Sequence, residues 1–283
     1  SAVNPAVILA SISGFGQEGP YKNRPGFDQV AQGMSGLMSI TGEPGGGPMR
    51  VGIPLADLSA GLFAAQGILL ALYERLSSGK GQWVQTSLLQ SQIFMLDFQA
   101  ARYVMNGEIP RQAGNNHPTS IPTGVFKTKD GFINIAASGE TIWKKLAMAF
   151  GHEEWISDPL FSTALARSEN RDKLGKNINE CTIHKATSDW ISLLNKCGVP
   201  CGPIYSIDEM FSDEQVNFLN VSQSVINTDL EKIPVLTQPV SLSRTDSELS
   251  RAAPKIGEHT NQILAELGYE DSDIKLLRDN KFV

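Results

Sequence analysis

Between Leu58 and Leu76 the chain holds its longest stretch of Leu, Ala and Ile with few polar breaks, and this stretch most limits the folds open to it. An apolar segment of this length predicts a helix that buries a broad face in a core. Val51-Gly-Ile-Pro-Leu-Ala-Asp57 precedes it, a Gly/Pro-containing loop that delivers one carboxylate, and Ser77-Ser-Gly-Lys-Gly81 follows as a C-terminal stop. Asp57 therefore reads as the N-cap of the helix. The uncharged core of the stretch, Leu62 to Tyr73, is interrupted by Gln66 and Gly67 and reads as too short to span a bilayer, so no membrane partner is expected.

The flanking segments make the pattern α/β. Val7 to Ser13 reads as a buried parallel strand, and no strand precedes it from Ser1, as if the sequence began inside a fold. Gly14-Phe-Gly-Gln-Glu-Gly-Pro20 follows, a loop at the carboxyl edge of a sheet, where open α/β folds bind ligands. Gly14, Gly16 and Gly19 fall in G-x-G-x-x-G order, which alone is a weak signal, and no dinucleotide site is read from it. Asp28 to Ile40 predicts a short helix, and Thr41 to Pro54, with five glycines and three prolines, an exposed loop. Trp83 to Ser87 alternates like a strand, and Gln90 to Met105 predicts a second helix ending near Gly107. Strand, helix and strand again make residues 1–109 a large α/β domain.

The composition changes near Pro110. Residues 124–137 predict a β-hairpin turning on Lys129-Asp130-Gly131, followed by helices over 141–150, 168–183 and 188–195. Residues 110–205 thus read as a smaller α+β domain, with Cys197 to Pro203 leading out of it. Residues 206–283 read as a linker and C-terminal return, with strands near 221–226 and 236–242, a helix over 257–267 and a last turn at 271–277.

A net charge of −6 offers no basic stripe, so nucleic acid is not an expected partner. The three cysteines, Cys181, Cys197 and Cys201, cannot all pair, and neither they nor the four histidines have zinc-site spacing. They read as reduced thiols in a cytoplasmic protein without a metal. His152 and His184 fall on helix surfaces, and His259 falls at the start of the last helix. His117, in Gly114-Asn-Asn-His117 on a loop between the two domains, is open to two readings, a structural loop histidine or a site residue. Asp57 is open too. A carboxylate at a helix N-terminus is favoured as the anion by backbone N–H groups and the helix dipole, and it can cap or attack an activated acyl group.

The order of motifs decides more than any one of them. Ala10-Ser-Ile-Ser-Gly-Phe-Gly-Gln-Glu-Gly-Pro20, Pro25-Gly-Phe-Asp-Gln-Val-Ala31 and Gly52-Ile-Pro-Leu-Ala-Asp57 with Gly61 lead into Ser78-Gly-Lys-Gly81. Gly114-Asn-Asn-His117, Phe126-Lys-Thr-Lys-Asp-Gly131, Gly198-Val-Pro-Cys-Gly-Pro203 and Gly257-Glu-His-Thr260 complete the series. This series resembles the class III CoA-transferases of the CaiB/BaiF type, which include formyl-CoA and carnitine CoA-transferases and the α-methylacyl-CoA racemases, and it spans essentially the whole chain.

The resemblance implies a Rossmann-like large domain, an inserted smaller domain and a homodimer whose subunits thread through each other like linked rings. It also implies a preceding segment that supplies the first strands and part of the CoA contacts, so that this chain reads as the C-terminal portion of a member. Coenzyme A and its acyl thioesters would be substrates, with a small carboxylic acid as acceptor and no cofactor held permanently. Asp57 would be the nucleophile, forming an aspartyl anhydride and then an aspartyl–CoA thioester. Backbone N–H groups near Ala56–Leu58 or in the Gly114–Asn116 loop would steady the oxyanion. Asp28 would bond near the thioester or serve only as a helix cap. Phe27 stands where the racemase pattern has a proton-carrying histidine, which disfavours racemisation. Gly114, Asn115 and His117 would form the counterpart of a loop that closes over the nucleophile, without the glycine run of oxalate-type members. An inactive truncated member acting as a binding protein is the non-enzymatic alternative.

Overall fold

The computed structural model describes residues 3–226, 231–249 and 251–283, which fall into two compact units, Ser1–Ile204 and Tyr205–Val283. The first unit opens with β1 (Leu9–Ser13), α1 (Asp28–Met34), α2 (Leu37–Ile40), α3 (Leu55–Ser78), β2 (Trp83–Ser87), α4 (Leu88–Phe94) and α5 (Phe98–Asn106). β1 and β2 pair in parallel from Leu9↔Trp83 to Ser13↔Ser87, as a β–helix–β crossover requires. Where a buried strand was expected, β1 has Leu9 and Ile12 about half exposed, because β2 is its one partner among the described residues.

α3 is longer than the periodicity suggested. It begins at Leu55, and its end at Ser78 is closed by Gly79, whose φ of 70° lets its N–H reach Arg75 O at 2.8 Å. Taken whole, the helix is long and apolar enough to cross a membrane by length and composition alone, a test that a core helix also passes. Its buried positions, Ala56, Ser59, Ala60, Ala64 and Ala71, are all small, and the helix packs closely on α1, α4, β1 and β2. The two other expected helices of this region are each broken. α1 gives way to α2 through Gly36 at φ 91°, and α4 to α5 through Asp97 at φ 48°.

The rest of the first unit comprises β3 (Thr123–Lys127), β4 (Phe132–Ala136), α6 (Glu140–Phe150), α7 (Ala164–Glu169), α8 (Arg171–Thr182), α9 (Thr187–Lys196) and β5 (Cys201–Pro203). The expected hairpin is present as β3–β4, and the segment expected to lead out of the region adds a third antiparallel strand, β5, on β4. Alternate residues Ile133 and Ile135 of β4 point into a core with Trp143, Leu146, Leu174, Ile178 and Leu194, all fully buried.

The second unit holds α10 (Ile207–Ser212), α11 (Glu214–Phe218), β6 (Ser222–Ile226), β7 (Lys232–Leu236), α12 (Thr260–Glu266) and α13 (Asp271–Asp279). β6 and β7 form an antiparallel pair, so the second strand lies earlier than the expected 236–242. The expected last turn is a two-turn helix, α13, begun by a Glu270–Asp273 capping box.

Candidate active site

Asp57 is the third residue of α3, not its N-cap. Pro54 occupies the cap position and has no side chain to offer the helix amides. The capping oxygen comes instead from Asp28, at the first position of α1, whose Oδ1 accepts the Ala56 N–H at 2.9 Å. Asp28 is buried, and its Oδ2 accepts from Gln32 Nε2 at 2.8 Å and from the Arg50 guanidinium at 3.2 Å. Each hydrogen bond to a charged group contributes about 1.5–3 kcal/mol. The reading of Asp28 as cap of the short helix therefore changes. It caps, but it caps α3, and its oxygens are occupied inside the protein.

Asp57 itself is exposed, and its carboxylate has no hydrogen-bond or ion-pair partner among the described residues. The amides proposed as oxyanion donors are mostly spent. Ala56 N–H goes to Asp28 and Leu58 N–H to Pro54 O, leaving that of Asp57 without a partner among the described residues. In the second loop, Gly114 N–H goes to Gly42 O and Asn116 N–H to Ala113 O, leaving that of Asn115.

That loop is tied to the Gly/Pro-rich loop after α2. Gln112 donates to Thr41 O and Gly47 O, and a Cβ on Gly114 would lie 2.6 Å from a carboxylate oxygen of Glu43. His117 Nδ1 accepts the Ser120 N–H at 2.9 Å, and its ring stacks on Phe98 at 5.4 Å between centroids. These bonds give His117 a structural task. No hydrogen bond joins it to Asp57 among the described residues. Phe27 is largely exposed beside Asp28 at the N-cap of α1, and a phenyl ring carries no proton.

Gln32 and Arg50 were not anticipated. Gln32 lies one helical turn after Asp28, a spacing that puts the two on one face. Arg50 lies in a loop, and nothing in its local sequence points towards α1. Among the described residues no group of three His, Cys, Asp or Glu is placed to hold a metal. Burial pushes the thiols of Cys181 and Cys201 above the usual cysteine range, which disfavours the thiolate a nucleophile needs.

The fold is α/β, and it presents an unpaired, exposed carboxylate on the first turn of a long crossover helix, a group with the chemistry to attack an activated acyl carbon. The chain belongs to CoA-transferase family III, whose sequence profile matches residues 1–260. It is 37% identical over 265 residues to the succinate–glutarate CoA-transferase of Agrobacterium fabrum, covering 94% of this chain and 66% of that one. It is 33% identical over 284 residues to the succinyl-CoA–D-citramalate CoA-transferase of Chloroflexus aurantiacus, covering 100% and 71%. The crystal structure of a CaiB/BaiF family protein from Brucella suis superposes with a TM-score of 0.79 at 35% identity, over 94% of this chain and 69% of that one. The chain thus spans about two thirds of the length of the curated relatives it matches.

Proposed function

We propose that this chain carries the nucleophile of a CoA-transferase that moves CoA from succinyl-CoA to a dicarboxylic acid such as glutarate. The observation that carries the reading is Asp57, held at the positive end of α3 with its carboxylate free of other partners among the described residues. The two named relatives supply the substrate class, since both exchange CoA between succinate and a second dicarboxylate.

In the forward half-reaction a carboxylate oxygen of Asp57 attacks the thioester carbonyl. The C–S bond breaks, CoA leaves as the thiolate, and a mixed aspartyl–succinyl anhydride remains. The thiolate then attacks the aspartyl carbonyl of the anhydride and expels succinate, leaving an aspartyl–CoA thioester. The acceptor acid reverses both steps, so the thioester's free energy is conserved throughout. The developing oxyanions need donors, and the amides of Asp57 and Asn115 are the candidates. Proton transfer at the α-carbon, as in a racemase, would need a second base where Phe27 stands.

The test is CoA exchange between succinyl-CoA and glutarate by the complete gene product and its Asp57→Ala variant. Loss of exchange with retained CoA binding is expected, together with a mass increment on the Asp57 peptide of the wild type. Exchange at an undiminished rate in Asp57→Ala would refute the proposal.

A further inference from the structure

We infer that Asp28 is a positioning residue, setting the orientation of Asp57 by acting as a detached cap of α3. The inference rests on the reading of Asp57 as nucleophile. Asp28 and Gln32 together grip the segment that delivers Asp57 at three points. Ala56 N–H donates to Asp28 Oδ1 at 2.9 Å, Ile53 O accepts from Gln32 Nε2 at 3.0 Å, and Val51 N–H donates to Gln32 Oε1 at 3.0 Å. The Asp28–Gln32 bond, 2.8 Å, joins the two grips, and Arg50 closes the cluster from the loop side.

Burial makes this arrangement directional. Gln32 and Ala56 are fully buried, and Ala31, Ala56, Ala60 and Leu88 pack into one small cluster behind the first turn of α3. Alanine at these positions lets α1 approach closely enough for the Asp28 oxygen to reach a main-chain amide of α3. The residue next to Ala56 is Asp57, so its backbone is held beside a buried polar clamp while the residue itself is exposed.

The clamp also takes up one amide on which the Asp57 carboxylate could fold back. A carboxylate in the first turn of a helix ordinarily folds back on the open amides. Here Asp28 occupies the Ala56 amide and Pro54 O the Leu58 amide. Asp28 is buried, and each of its oxygens already accepts from within the protein. It acts through the backbone of Ala56.

The experiment compares Asp28→Asn, Asp28→Ala, Arg50→Ala and Asp57→Ala in the complete gene product. It measures kcat and KM with succinyl-CoA and glutarate, and the yield of the Asp57–CoA adduct after a single exposure to succinyl-CoA. Misplacement of a reacting group by an ångström costs up to roughly hundredfold, so Asp28→Ala is expected to lower kcat and adduct formation by roughly tenfold to hundredfold, with KM little changed. Asparagine keeps an acceptor for Ala56 N–H but turns an amide NH2 towards Gln32 or Arg50. Asp28→Asn should therefore fall between wild type and alanine, and being isosteric it carries the test should alanine fail to fold. Arg50→Ala, which removes only the most exposed arm, should have the smallest effect.

Wild-type kcat and adduct yield in Asp28→Asn and Asp28→Ala, with Asp57→Ala inactive, would overturn the inference alone. A rise in KM with kcat unchanged would overturn it in favour of a binding role. Exchange retained in Asp57→Ala would instead remove the reading beneath it.

Discussion

Replacing Arg167 with methionine should destabilise the second half of the first unit severely. Its side chain is fully buried, with Nε on Ile121 O at 3.2 Å, one terminal nitrogen on Phe161 O at 2.9 Å and the other on Glu140 at 2.8 Å. The guanidinium also lies 5.1 Å from the ring of Trp143. Methionine keeps most of the stem's volume, so the cavity contribution is small. It leaves two buried carbonyls without donors, at about 1–3 kcal/mol each, for a total of about 2–6 kcal/mol. Glu140→Gln removes less, because glutamine keeps an oxygen to accept from the guanidinium and Glu140 is half exposed. Arg167→Met should therefore cost several times more than Glu140→Gln. Urea unfolding followed by tryptophan fluorescence reads the right region, since Trp143, Trp155 and Trp190 all lie in this core. Equal losses in the two variants, or a loss below about 1 kcal/mol in Arg167→Met, would refute the reasoning that the buried carbonyls dominate.

Two further outcomes follow from tertiary contacts. The Asp130 carboxyl is held below the usual carboxylate range by the Thr187 N–H and then by the Thr187 hydroxyl. A lowered folded value means that the stabilisation is complete above the unfolded carboxylate range and disappears as pH falls through the folded value. Asp130→Asn should accordingly melt below wild type at neutral pH and converge with it once pH falls below the usual aspartate range, whereas a pH-independent gap would exclude the charge as cause. Gly114→Ala should lose about 1 kcal/mol or more, because the new Cβ meets the Glu43 carboxylate and φ is 58°. Adding Glu43→Ala should recover the steric part only, and full recovery in thermal melts of the double variant would show that the backbone strain is negligible.

Much of the fold is legible where local chemistry settles local conformation. Gly79 ends α3 because glycine accepts the left-handed turn, and the Lys129-Asp130-Gly131 segment joins β3 to β4 as expected. The break between α4 and α5 is not legible, since it places Asp97, a non-glycine residue, at positive φ. The helices α10 and α11 also escape a periodicity search. Each is a short helix of five or six residues started by a local cap, Ser206 with Glu209 in one and Asp213 in the other.

By itself the sequence determined the α3 segment, the parallel strand pair around it, the β3–β4 hairpin and the family, through motifs strung in order along the chain. It could not say where α3 begins or what caps it. That depends on Asp28 reaching Ala56 across 28 positions, as the capping of α9 depends on Asp130 reaching Thr187 across 57. A hydrogen bond of this kind forms only after two helices have packed, so no window of sequence contains both partners. The tertiary structure thereby decided that Asp57 is not a cap, and that its carboxylate stands free while a second aspartate does the capping.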